Sequence, residues 1–170
     1  MRDSQLLKGF TADLQHYPDH KLSEIPSDGS WSLGQMYQHL IEVSLEYLEN
    51  AEECKKAAPD PDLEKSEGGK ALFERGGFPA IKIKLPDLPG NTPSNNRTKE
   101  ELLTGFLEIE KRMEQQEKNA AETNPACKQR HGGFGWLNAK EWYELVDMHL
   151  RHHLRQKKEI EQKIGLLSMD

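Results

Sequence analysis

Hydrophobic residues recur at helical spacing in four stretches of this chain, and the last stretch carries an anomaly. From Trp142 to Ile164, the apolar positions Trp142, Leu145, Val146, Ile160 and Ile164 share one face at about 100° per residue. Positions 149 and 153 fall at the centre of that face, roughly 20° to either side of Trp142, yet both are histidine. The other stripes are conventional. The first runs from about Ser4 to Gln15 through Leu6, Leu7, Phe10 and Leu14, with Pro18 just beyond it. The second opens at Ser32, where Ser-x-x-Gln35 forms a capping-box pattern, and runs to about Ala57 through Leu33, Met36, Tyr37, Leu40, Ile41, Ser44, Leu45 and Leu48. The third opens at Thr98 with Glu101 as its box partner and carries Leu102, Leu103, Phe106, Ile109 and Met113. The fourth opens at Asn138 with Glu141 three residues on, and Gly165 closes it. Four such helices predict an all-α fold, a four-helix bundle occupying residues 1–170 as a single domain.

The second and third helices are separated by about 40 residues, Ala58 to Arg97, far more than bundle connections usually need. Six of the nine prolines fall there. Within it the pattern predicts a short helical turn near Ala71-Leu-Phe-Glu and an extended Ile81-Lys-Ile-Lys-Leu85. A connection this long permits the third helix to run parallel to the second.

Composition narrows the partners. Charged residues make up 31% of the chain and hydrophobic ones 35%, with a net charge of −6 and the signs interspersed. That speaks against nucleic acid, which would need a basic face. Apolar runs of only a few residues exclude a membrane span. The opening Met1-Arg-Asp-Ser-Gln lacks the apolar core of a secretory signal, and Cys54 and Cys127 form no CxxC pair, so both are expected as ordinary thiols in a reducing cytoplasm.

Chemistry concentrates in the fourth helix. A buried imidazole is costly unless both nitrogens are satisfied. Histidines at i, i+4 are also a common way for one helix to grip a transition metal. His149 and His153 supply two ligands, and His39, on the border of the second stripe, is the natural third. Three imidazoles would leave a coordination position open to water or substrate. Of the other histidines, His152 lies roughly 80° off the stripe centre and reads as a flank. His16 and His20 read as solvated loop residues after the first helix, and His131 as packing in the turn-like His131-Gly-Gly-Phe-Gly135. No G-x-S-x-G, P-loop or phosphate-binding glycine pattern is present, and the positions three before His39 and His149 are Met36 and Val146, not the glutamates of a di-iron bundle.

The run Trp31-Ser-Leu-Gly-Gln-Met-Tyr-Gln-His-Leu40, the long second connection and the terminal His149-Leu-Arg-His-His-Leu-Arg-Gln156 resemble the DinB/YfiT-like superfamily, over nearly the whole chain. One departure is Gly132 after His131, where the family's commonest subgroup has proline. The resemblance implies an up-down-down-up four-helix bundle, often a homodimer, binding one divalent metal through His39, His149 and His153. It implies a small-molecule substrate and an S-transferase activating a low-molecular-weight thiol. The alternatives are a metal-dependent hydrolase, with hydroxide in the same position, and a non-enzymatic metal-binding stress protein. Three imidazoles suit zinc, nickel, copper or iron, with zinc or nickel expected first, and no residue identifies itself as catalytic. The Ala58–Arg97 connection and the His131–Gly135 turn are the expected walls of a substrate pocket.

Overall fold

The structure is a computed structural model and describes residues 5–79 and 92–167. Its elements in chain order are α1 (Gln5–His16), α2 (Asp19–Leu22), α3 (Leu33–Cys54), α4 (Glu67–Arg75), α5 (Lys99–Glu122), β1 (Lys128–His131), β2 (Gly135–Asn138) and α6 (Ala139–Lys163). Helices dominate, as the periodicity predicts, and none among the described residues is long and apolar enough to cross a membrane.

Local chemistry sets the helix ends. The Ser32 side chain accepts from the Gln35 amide at 3.1 Å, and the Gln35 side chain accepts from the Ser32 amide at 3.0 Å. Thr98 with Glu101 and Asn138 with Glu141 close the same reciprocal box on α5 and α6. Each satisfies amides that a helix start leaves without partners, and loss of such a cap costs about 1 kcal/mol. At the far end of α6, Gly165 takes φ +80° and its amide reaches the Gln162 carbonyl, while the Leu166 amide reaches that of Glu161. Both would otherwise be orphaned acceptors.

Packing follows the stripes. Helix α3 lies against α5 and α6, and α1 lies against the same two. Where α3 and α5 meet, a Cβ on Gly105 would stand 2.5 Å from the Ile41 side chain, so the missing side chain sets how closely the two helices approach. Phe10, Tyr37 and Phe106 form an aromatic centre with ring centroids 5.1–6.1 Å apart, and the Tyr37 hydroxyl donates to the Phe10 carbonyl at 2.8 Å. One polar insertion interrupts this core. Lys157, 9% exposed, contacts Asp13 at 2.5 Å and Glu161 at 3.4 Å, and the Tyr17 hydroxyl donates to Glu161 at 2.6 Å. This pinned set ties α1 and the chain after it to α6, one turn beyond His153.

Several expectations need correction. The turn expected at His131–Gly135 is present, and it joins two short strands that the pattern does not show, with Lys128 opposite Asn138 and His131 opposite Gly135 in a β-hairpin. The fold is mostly helical, consistent with the all-α expectation, and carries one small two-stranded sheet. The strands escape a hydrophobic-pattern reading because Lys128-Gln-Arg-His131 has no apolar residue to alternate. Tertiary pairing holds the hairpin instead: the Trp136 amide donates to the Glu64 carbonyl at 3.1 Å and the Ser66 amide to that of Phe134 at 2.9 Å. Gly135 makes this approach possible, with φ +79° and space for a Cβ only 2.4 Å from the Ser66 nitrogen. The turn near Ala71–Glu74 is present as α4. The proposed Ile81–Leu85 extended segment lies outside the described residues. His16 and His20 are exposed, as expected, but they belong to α1 and α2 and not to a loop.

Candidate metal centre

Helix α6 runs along α3 so that the two histidines on its core stripe face the one on the border of α3. His39 Nε2 lies 3.2 Å from His149 Nε2, which lies 3.0 Å from His153 Nε2. One ligand atom from each of the three falls within 4.8 Å of the others, and no carboxylate or thiol joins the group among the described residues. His149 is buried, and His39 and His153 are half-buried. The two histidines singled out by periodicity and the candidate third, His39, thus come together.

The separations fit a shared ion. Two nitrogens each about 2.1 Å from one cation lie 3.0–3.2 Å apart when the angle between them is about 90–100°. Burial also prepares the donors. Desolvation, the largest influence on each ring, lowers the pKa of His39, lowers that of His149 well below the ordinary histidine range, and brings His153 down to about 4. All three are neutral near pH 7, the state in which an imidazole can ligate. One neutral ring with its proton on Nε2 can donate to only one of the facing Nε2 atoms, so the three cannot all be satisfied by one another. His149 Nδ1 is also buried with no hydrogen-bond partner. A cation at the common point would take up all three lone pairs, and the group could hold a metal ion.

Aromatic rings from three parts of the chain lie against these histidines, and a fourth lies behind one of those rings. Trp31, just ahead of the α3 cap, lies 5.3 Å from the His39 ring. Tyr47, two turns further along α3, lies 5.9 Å from His149. Phe78, from the long connection, lies 5.9 Å from His149 and 5.3 Å from His152. Phe134, from the hairpin turn, lies 5.7 Å from Phe78. Phe78 is positioned by its approach: Gly76 ends α4 in the left-handed conformation, and Arg151 of α6 donates to the Gly76 carbonyl at 3.1 Å. Both expected walls therefore contribute to the surroundings of the histidines.

The remaining histidines stand apart from the point of convergence. His152 flanks it, half-buried against Phe78. His131 packs on Phe134 at 4.4 Å, and its Nδ1 accepts from the Gly133 and Phe134 amides at 2.9 and 3.1 Å, so it organises the hairpin turn. Sequence reasoning overlooked Gln156, whose Oε1 lies 2.6 Å from His153 Nδ1. Its only signal was the i, i+3 spacing that puts it one turn from a ligand candidate. Cys54 is buried, its thiol pushed up to about 12 by desolvation, and it donates to the Leu137 carbonyl at 3.6 Å, as a packing residue would.

A mainly helical protein in which three imidazoles from two helices converge belongs to a recognisable class, that of helical proteins with a built-in nitrogen site. The family is identified by the sequence: a model of the DinB superfamily matches residues 4–156, and the chain belongs to that superfamily. No curated protein and no solved structure matches the chain.

Proposed function

We propose that this chain is a metal-dependent enzyme in which His39, His149 and His153 hold one divalent transition metal, zinc or nickel, and that it transfers a low-molecular-weight thiol to a small electrophilic substrate. The observation that carries the reading is the convergence of three neutral Nε2 atoms, 3.0 and 3.2 Å apart, from two separate helices. A divalent ion there would act as a Lewis acid, bringing the pKa of a bound thiol or water towards neutrality. The chain's own residues do the rest. The three imidazoles present one face of donors and leave the opposite side for an exogenous ligand. Trp31, Tyr47 and Phe78 surround that point with apolar surface, which excludes water and strengthens any charge interaction made there.

In the same reading the four long helices form one bundle domain in up-down-down-up order, and the protein acts as a cytoplasmic homodimer. The hydrolase alternative uses the same site with water in place of the thiol. Metal analysis of the purified protein, then conjugation of a thiol to a chloro-dinitro-arene with and without metal, tests the proposal. Metal-dependent ester hydrolysis with no need for thiol would move the assignment to a hydrolase. No metal uptake would end both.

A further inference from the structure

The imidazole of His153 has two jobs to reconcile: its Nε2 must arrive at the point of convergence as a lone pair, and its Nδ1 must dispose of a proton in a half-buried setting. Gln156 resolves this. Its carboxamide oxygen lies 2.6 Å from His153 Nδ1, so Nδ1–H donates to Oε1 and Nε2 is left bare, facing His149 Nε2 at 3.0 Å. The two residues sit three apart on α6, so the helix itself sets their approach. Were the amide nitrogen turned to the ring, the proton would move to Nε2 and point at the place where the three donors meet. The partner chosen is also uncharged. Many ligating histidines donate to a carboxylate, which raises their basicity and offsets part of the metal's charge. Here the cluster contains imidazoles alone and the outer partner of His153 is a carboxamide, while the Glu42 carboxylate acts on His39 through its charge without a hydrogen bond to the ring.

We infer that Gln156 is a positioning residue that fixes His153 in its ligating tautomer and, being neutral, offsets none of the metal's charge through that ligand, so that the site favours an anionic exogenous ligand. This rests on the three-histidine reading proposed above and adds to it the class of ligand that completes the site.

The test uses the metal-free full-length protein titrated with Co²⁺, followed by visible absorption, and then thiocyanate as the anion probe on the Co²⁺-loaded forms. Wild type, Gln156→Ala, Gln156→Glu and His153→Ala are compared, with melting of each metal-free form as the check on folding. Gln156→Ala should weaken Co²⁺ binding by about 10–100-fold and change the spectrum. Gln156→Glu keeps an acceptor, so it should restore or tighten Co²⁺ binding while weakening thiocyanate binding by about tenfold. A merely structural glutamine would not give those opposite signs. Wild-type Co²⁺ affinity and spectrum in Gln156→Ala would overturn the inference and leave the metal site standing. Unchanged thiocyanate binding in Gln156→Glu would also overturn it. If Gln156→Ala fails to fold, Gln156→Glu alone decides through its paired shifts. A wild type whose Co²⁺ spectrum is absent, or survives His153→Ala, would instead remove the metal site itself.

Discussion

Replacing His149 by leucine should make the metal-free protein more stable while abolishing its response to metal. His149 is 6% exposed, and its Nδ1 is buried without a hydrogen-bond partner. Its Nε2 has only the two neighbouring imidazoles at 3.0 and 3.2 Å, whose own Nε2 atoms compete for the same protons. A buried polar group left unsatisfied costs about 1–3 kcal/mol. Leucine removes that cost and adds apolar contact with Tyr47 and Phe78, against an imperfect fit of up to about 1.5 kcal/mol. The net expectation is a gain of about 1 kcal/mol without metal. For a chain of this size that is a rise in Tm of about 2–4 °C. With zinc a thousandfold above its Kd, wild type should gain about 4 kcal/mol and His149→Leu nothing, so the order of stability inverts. Scanning calorimetry with chelator and then with excess zinc measures both halves. A leucine variant less stable than wild type in chelator would refute the cost assigned to the unsatisfied His149 ring. A leucine variant that still gains from zinc would refute the ligand assignment.

Four further outcomes follow from the structure. Because burial lowers the pKa of His39 and His149 and brings His153 to about 4, no proton has to leave when metal binds near neutrality, and zinc affinity by calorimetry should be flat from pH 8 to pH 6. A tenfold loss over that range would contradict it. For the same groups the unfolded chain takes up protons first, so metal-free stability should fall as pH drops from about 6.5 towards 4; a stability that rises over this window would contradict the lowered values. Gly135→Ala forces a side chain into a left-handed position against the Ser66 backbone, and should cost about 2–3 kcal/mol in urea unfolding from conformational strain and a lost hydrogen bond; a loss under half a kcal/mol would show that the hairpin can move away. Cys54, with its thiol pushed up to about 12, is ionised to about one part in ten thousand at pH 8. Peptide mapping should find it unmodified by iodoacetamide in the native protein, and labelling at the rate of a free thiol would contradict that.

Much of this molecule was legible in the chain as written. The three capping boxes at Ser32, Thr98 and Asn138 and the Gly165 stop are interactions within a few residues, so their sequence signatures and their structures coincide. His149 and His153 could be picked out because helical periodicity states which positions face inward, whatever the partner is. Other features depend on which element arrives opposite. The polar strand Lys128–His131 has no period of its own and exists through its pairing with β2 and the docking of that hairpin on Glu64 and Ser66. Lys157 and Glu161 look like solvated helix residues until Asp13 and Tyr17 are brought against them. His39 is the clearest division between the two kinds of information. Its place on the edge of a stripe suits a surface histidine as well as a ligand. Only the packing of α3 on α6, made close and specific by side chains far along both helices, brings its Nε2 to 3.2 Å from that of His149. Local sequence determined the helices and which faces they bury, because those depend on neighbours in the chain; the site was decided by tertiary structure, because three donors from separate helices can converge only once the helices are packed.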